Sequence, residues 1–272
     1  MSTIVGSFGT GHILLRRHSA GEAGERAYQG MRELGRRIAA LKPDVVVIVS
    51  SDHFYNYHGN EPATFAIGTE ADFESYGDMD IPPRTIAGSS VLAEAIIARA
   101  EKEGFPLERL ASSYKPDHGV VLPYLMIDKP RPAIIPIIIN LHQAPTMKQG
   151  WDLGEIIRRV VEERVSDKQR IVVVGTGGLS HWLGVPEMGR VNPEFDAEVM
   201  DTIVAGDAVK LTEWTTEYIV EHGGNGGLEI VNWAVMAGAL PGARGKRLYY
   251  EELPEWLTGL GGVQLYAEIG EK

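Results

Sequence analysis

Three short runs constrain this chain more than anything else in it: DVVVIVS (44–50), AIIPIIIN (133–140) and RIVVVG (170–175). Each is continuous and β-branched, without the polar–apolar alternation that marks a sheet wet on one face. Such runs predict strands covered on both faces. The stretches between them carry a different period. In 22–41 the apolar residues Ala27, Met31, Leu34, Ile38 and Leu41 recur at steps of three and four, as one face of a helix requires. Residues 88–103, 151–165 and 194–205 read the same way, the last opened by Asn192 and Pro193 as N-cap and first-turn residue. A further helix is expected from about Gly227 to Ala239 and a strand near 263–269. Strands alternating with helices predict an α/β fold: a single three-layer α/β/α domain over residues 1–272, with a mostly parallel or mixed central sheet. No internal repeat, low-complexity tract or Pro/Ser-rich linker divides it.

In such folds sites gather at the carboxyl ends of the strands. Four histidines fall there. His12 follows an amino-terminal strand, TIVGSF, and His142 follows Asn140. His53 comes three residues after Ser50, and His181 six after Gly175.

Charge narrows the partners. A formal net charge of −11 opposes nucleic acid and acidic membranes, both of which attract basic surface. The arginine pair at 16–17 is too short to reverse it. No apolar run approaches the ~20 residues of a membrane span. The start, MSTIVGSFGTGH, has neither the basic region nor the apolar core of a signal peptide, so a cytoplasmic protein is expected. There is no cysteine, which leaves His, Asp, Glu or backbone oxygen to hold any metal.

The segment VVVGTGGLSHW (172–182) is not a phosphate loop. GTGGLS puts Ser180 where a dinucleotide fingerprint wants its third glycine, and no GK[ST] occurs in the chain. Its glycines suit a sharp turn, after which His181 is either a structural residue or part of a site. SSDHFYNY (50–57) sets His53 beside Asp52, which alone could simply cap a turn. KPDHGVVLPY (115–124) sets His118 between Asp and Gly, read either as a turn before a strand or as a functional histidine. His12, in GTGHILL (9–15), is equally open. HGGNGGLEIVNWAVMAGAL (222–240) carries one carboxylate, Glu229, in an almost wholly apolar helix that shares its face with Asn232, Trp233 and Met236. A carboxylate buried there costs several kcal/mol, roughly, unless it is paired or bound to metal. Two histidines and one carboxylate with open positions form the facial triad of non-haem Fe(II) enzymes that activate oxygen. A zinc hydrolase would draw on the same residue types.

In order and context these segments resemble the class III extradiol dioxygenases, the superfamily of the protocatechuate 4,5-dioxygenase β subunit. The likeness covers nearly the whole chain. It rests on Gly-x-His at His12, Asp-His at His53 and Asp-His-Gly before a Pro-containing apolar run at His118. Gly-Thr-Gly-Gly-Leu-Ser-His at His181 and a glycine-rich turn into a Trp-containing helix at Glu229 complete it. The resemblance implies that His12, His53 and Glu229 hold non-haem Fe(II), with O₂ as co-substrate. It makes His181 the catalytic acid/base toward a catechol hydroxyl and His118 a second residue touching substrate or oxygen. The implied reaction is meta-cleavage of a catechol, aminophenol or dihydroxypyridine in aromatic catabolism. Closure of the site by a homo-oligomer or by a separate small α subunit is also implied, since this chain has no room for that subunit. Tyr55, Tyr57, His58, His142 and Trp182 are candidates for lining the substrate pocket, while His18 and His222 read as surface or turn residues. A zinc-dependent hydrolase and a non-enzymatic metal-binding module on the same scaffold are the rival expectations, and the ligand set serves Mn(II) as well as Fe(II).

Overall fold

The structure, a computed structural model, describes residues 2–14, 19–56, 63–164 and 167–267. Along the chain come β1 (Thr3–Thr10), α1 (Gly21–Ala40) and β2 (Val45–Ser51), then β3 (Phe65–Ile67) and a small hairpin of β4 (Asp72–Glu74) and β5 (Thr85–Ala87). There follow α2 (Ser90–Glu103), β6 (Leu107–Arg109), α3 (His118–Met126), β7 (Ala133–Ile139), α4 (Met147–Glu163) and β8 (Arg170–Thr176). The last elements are α5 (Pro193–Val204), α6 (Thr216–Gly223), α7 (Ile230–Gly238), β9 (Gly245–Leu253) and β10 (Thr258–Tyr266). Eight strands form one mixed sheet in the order β6-β3-β7-β2-β8-β1-β10-β9. Its middle, β7-β2-β8-β1, is parallel, and β10 and β9 extend it antiparallel.

The β-branched runs are strands for the reason their composition suggests. Along β2, Val45, Val47 and Val49 pack with residues of α2, α4, α5 and α7, whereas Val46 and Ile48 pack with residues of α1 and α3. Both faces are dry, so alternation has nothing to record. Each such side chain stabilises the fold by about 1.5–3 kcal/mol relative to exposure. The expected α/β architecture with a mixed central sheet flanked by helices is what forms.

Several boundaries differ from expectation. α4 starts at Met147 rather than 151, because Thr146 and Gln149 close a capping box ahead of it. The Gly227–Ala239 helix is split into a tight turn, Gly226–Glu229, and α7. The strand expected near 263 begins at Thr258. Residues 118–126 are not a turn before a strand but a buried helix, α3. Asp117 caps it by accepting the Gly119 amide, and most of its residues are buried, so no amphipathic period marks it. Asn192 does cap α5, accepting from the Phe195 amide, with Pro193 in its first turn.

Candidate metal centre and its four imidazoles

The parallel strands end together, and their register decides what meets. Thr10 pairs with Thr176 across β1 and β8, which brings His12 beside the glycine turn Gly177–Gly178. β2 lies on the other side of β8 and delivers His53. α3 brings His118 to the same end. Its ring centroid is 4.1 Å from that of His53 and 5.4 Å from that of His12. Glu229 arrives from the turn before α7 and is buried, as its apolar helix requires.

Two glycines let this cluster close. Gly177 has φ +106, and a Cβ there would sit 2.5 Å from Glu229 Oε2. At Gly226 a Cβ would lie 2.1 Å from His181 Nε2. The glycine-rich segments therefore make room for Glu229 and for the His181 ring.

Hydrogen bonds fix which nitrogen of each ring faces the centre. Pro123 has no N–H to offer the carbonyl one turn back, that of Gly119. The Thr176 hydroxyl donates to this carbonyl at 2.9 Å. Its oxygen must therefore accept from His12 Nδ1–H, 3.2 Å away, which leaves a lone pair on His12 Nε2. Asp117 Oδ2 accepts from His53 Nδ1–H at 3.0 Å. Asp78 Oδ2 accepts from His118 Nδ1–H at 2.5 Å, and the Leu179 carbonyl accepts from His181 Nδ1–H at 3.0 Å. In all four rings Nδ1 is tied by an acceptor, and Nε2 is the nitrogen left to act.

The consequence is sharpest between His12 and His53, whose Nε2 atoms stand 3.0 Å apart. Two lone pairs at that distance repel unless a cation lies between them. Glu229 Oε1 completes the triangle, 3.5 Å from His12 Nε2 and 3.6 Å from His53 Nε2. Ligand atoms about 2.1 Å from one metal ion stand about 3.0–3.5 Å apart at right-angle to tetrahedral spacing, so the donor set fits a divalent ion. The ligand atoms of His12, His53 and His118 also lie within 4.8 Å of one another.

Titration agrees with the geometry. Burial pushes His12 down to about 3, keeping it neutral. Burial alone would lower His53 too, but the hydrogen bond to Asp117 and the Glu229 carboxylate outweigh it and raise it to about 10. Burial would raise Glu229, yet the imidazoles of His12, His53 and His181 hold it well below the usual carboxylate range. The raised His53 and the lowered Glu229 both mark a site that favours one positive charge among His12, His53 and Glu229.

Of the expected site residues, His12, His53, His118, His181 and Glu229 converge. His181 Nε2 is 3.7 Å from Glu229 Oε2. Tyr55 stands edge-on to His118 with centroids 6.5 Å apart, and against Tyr76 at 4.3 Å. His142 is exposed and sits 4.9 Å from the Phe54 ring. Trp182 is buried beneath the Arg190 guanidinium at 4.7 Å. Tyr57, His58 and His18 lie outside the described residues. His222 ends α6, stacked on Tyr218. Asp52 caps its turn, accepting from Asn56. Thr176 and Asp78 were not expected. The position of Thr176 at a strand end was the only available sign of it, and Asp78 gave none.

Similarity to known proteins follows the same residues. A family described as the catalytic LigB subunit of aromatic ring-opening dioxygenase matches residues 12–261. A 2,3-dihydroxyphenylpropionate/2,3-dihydroxicinnamic acid 1,2-dioxygenase of Photorhabdus laumondii is 26% identical over 296 aligned positions, covering 89% of this chain and 91% of that protein. A gallate dioxygenase of Pseudomonas putida is 32% identical over 201 positions, covering 71% of this chain and 56% of that protein. The crystal structure of an uncharacterised Escherichia coli K12 protein shares the fold, with a TM-score of 0.61 and 16% identity over 96% of this chain and 99% of that one.

Proposed function

Because this chain belongs to the family of catalytic LigB subunits of aromatic ring-opening dioxygenases, we propose that it is a non-haem Fe(II) extradiol dioxygenase acting on a catechol-type substrate. The observation that carries the proposal is the triangle of 3.0, 3.5 and 3.6 Å between two outward lone pairs and a carboxylate oxygen. His12, His53 and Glu229 are the proposed metal ligands. Two neutral imidazoles and one carboxylate leave a divalent ion with a net charge of about +1, which suits an anionic, chelating diol. Fe(II), when bound, supplies a centre at which the diol and O₂ are activated side by side.

The remaining roles belong to the chain. His181 presents an unprotonated Nε2, because Leu179 holds its other nitrogen, so it accepts the proton of a catechol hydroxyl at that atom. His118, its ring tilted beside that of His53, has Nε2 left over once Asp78 holds Nδ1, and that atom is the one to hydrogen-bond substrate or oxygen. Tyr55 and Tyr76 offer ring faces that flank an aromatic substrate. The relatives are named for 2,3-dihydroxyphenylpropionate, 2,3-dihydroxicinnamic acid and gallate. Substituted catechols are accordingly the first class to try, with aminophenols and dihydroxypyridines behind them. A cytoplasmic, single-domain catalytic unit that oligomerises, or that takes up a small partner subunit over the site, completes the proposal.

The decisive experiment is oxygen uptake by protein loaded anaerobically with Fe(II), across a panel of these compounds. Absorbance of a ring-opened product is followed in the same samples. Stoichiometric uptake with one compound is expected. Tight zinc binding with no uptake on any compound would favour a three-imidazole zinc site built from His12, His53 and His118, whose ligand atoms are also close enough.

A further inference from the structure

Outside the central sheet one element reaches into the site. The hairpin of β4 and β5 carries a loop, residues 75–84, closed by the Ser75 amide donating to the Arg84 carbonyl and the Arg84 amide donating to Ser75 Oγ, both at 2.9 Å. The Tyr76 amide donates to the Pro116 carbonyl at 2.8 Å, which pins the loop to the segment just before α3. At its tip the backbone is wound tightly. Met79 and Asp80 have φ of +49 and +60, left-handed values that non-glycine residues adopt at a cost of order 1 kcal/mol each. Strain of this kind persists only where the surroundings over-determine it. Here it delivers one side chain. Asp78, with 6% of its side chain exposed, accepts from both the backbone N–H (3.3 Å) and the Nδ1–H (2.5 Å) of His118.

We propose that Asp78 is the positioning residue for His118, and that the β4–β5 hairpin is part of the catalytic apparatus for that reason. The other three imidazoles take their acceptors from the strand ends and loops of the central sheet or from the cap of α3: Thr176, Asp117 and Leu179. His118 sits on the first turn of α3, where nothing in its own helix offers an acceptor for Nδ1. Without Asp78 the ring is free to rotate about χ2 or to carry its proton on Nε2, and either change turns the wrong atom toward the substrate. Among the described residues the hydrogen bonds of Asp78 run to His118 and Ile81 and to none of the proposed metal ligands, so its effect is separable from metal binding.

This inference rests on the ring-cleavage proposal for its kinetic arm only. Asp78→Ala is expected to keep its metal content and its melting temperature, to hold KM within about threefold, and to lose kcat by roughly 10- to 100-fold, the range for partners that orient a functional imidazole. Asp78→Asn retains an acceptor oxygen and should recover part of that loss. In metal-free protein, long-range ¹H–¹⁵N correlations of His118, assigned by their absence in His118→Gln, should show a protonated Nδ1 in the wild type and a mixture of tautomers in Asp78→Ala. An unchanged nitrogen pattern in Asp78→Ala overturns the assignment. So does a parallel fall of kcat, metal content and melting temperature that Asp78→Asn does not relieve, because it marks a merely structural residue. If the wild type consumes no oxygen on any catechol, the ring-cleavage proposal fails, and the nitrogen pattern alone decides the role of Asp78.

Discussion

His181 and Glu229 meet at 3.7 Å, yet their proposed duties are different enough to be separated by single substitutions. His181→Ala leaves the metal triangle untouched. It is expected to retain iron by elemental analysis while kcat drops by about 10²–10⁴, the contribution of a positioned acid–base group. Unchanged turnover would remove His181 from proton transfer. Glu229→Ala takes away one corner of the triangle and, with it, the only carboxylate among the proposed ligands. Loss of bound iron on dialysis is expected there, and full occupancy would place the third ligand elsewhere. Both residues were legible in the sequence: His181 by its glycine turn at a strand end, Glu229 as a lone charge in an apolar helix. What could not be read was the direction each ring faces. That depends on acceptors far away in the chain, such as the Gly119 carbonyl that Pro123 leaves free for Thr176.

Beneath the loop that carries His181, an element-scale support joins α5, the loop and β9. Asp196, fully buried, accepts from the Ser180 amide (2.7 Å), the Ser180 hydroxyl (3.0 Å) and the Tyr250 hydroxyl (2.8 Å). Burial lifts its carboxyl to about 6, from an ordinary 3.8, against the lowering effect of those three donors. The folded state therefore holds this proton more tightly than the unfolded chain does. Its contribution to stability is complete below pH 3.8 and is lost as pH rises through about 6. Compared with Asp196→Asn, the wild type should lose about 2–3 kcal/mol of relative stability between pH 4 and pH 7, at 1.36 kcal/mol per pH unit over the shifted range. Denaturant melts of both proteins across that range provide the check, and parallel pH profiles would show that Asp196 does not titrate there. At this scale the sequence was uneven. β2, β7 and β8 announced themselves because burial on both faces selects unbroken β-branched runs. α3 did not, because a helix buried on nearly every side has no polar stripe to set its period. β9 mixes exposed Lys246 and Glu252 with half-buried Arg, Tyr and Glu and matched neither template, while three-residue strands such as β4 and β5 are too short to show one.

Taken whole, the molecule is an acid. Its net charge is −11, and the carboxylates Asp117 and Asp78 sit directly behind His53 and His118. A catechol bearing a carboxylate approaches against this field, whereas an uncharged one does not. Raising the ionic strength from ~0.01 M to ~0.15 M shortens the Debye length from ~30 Å to ~8 Å. The kcat/KM for a carboxylated catechol should therefore rise with salt, with that for an uncharged catechol flat; a fall with salt would reveal a local cationic entrance that overrides the net charge.

The order of the proposed ligands along the chain has a consequence for how such a protein comes into being. His12 and His53 leave the ribosome before Glu229 and the turn that holds it. A two-imidazole fragment grips a divalent ion weakly, and β8, whose Thr176 orients His12, is itself made after both histidines. Capture of the proposed metal thus waits until Glu229 has been made, and the ion acts as a seal on strands already in place rather than as a seed for their assembly.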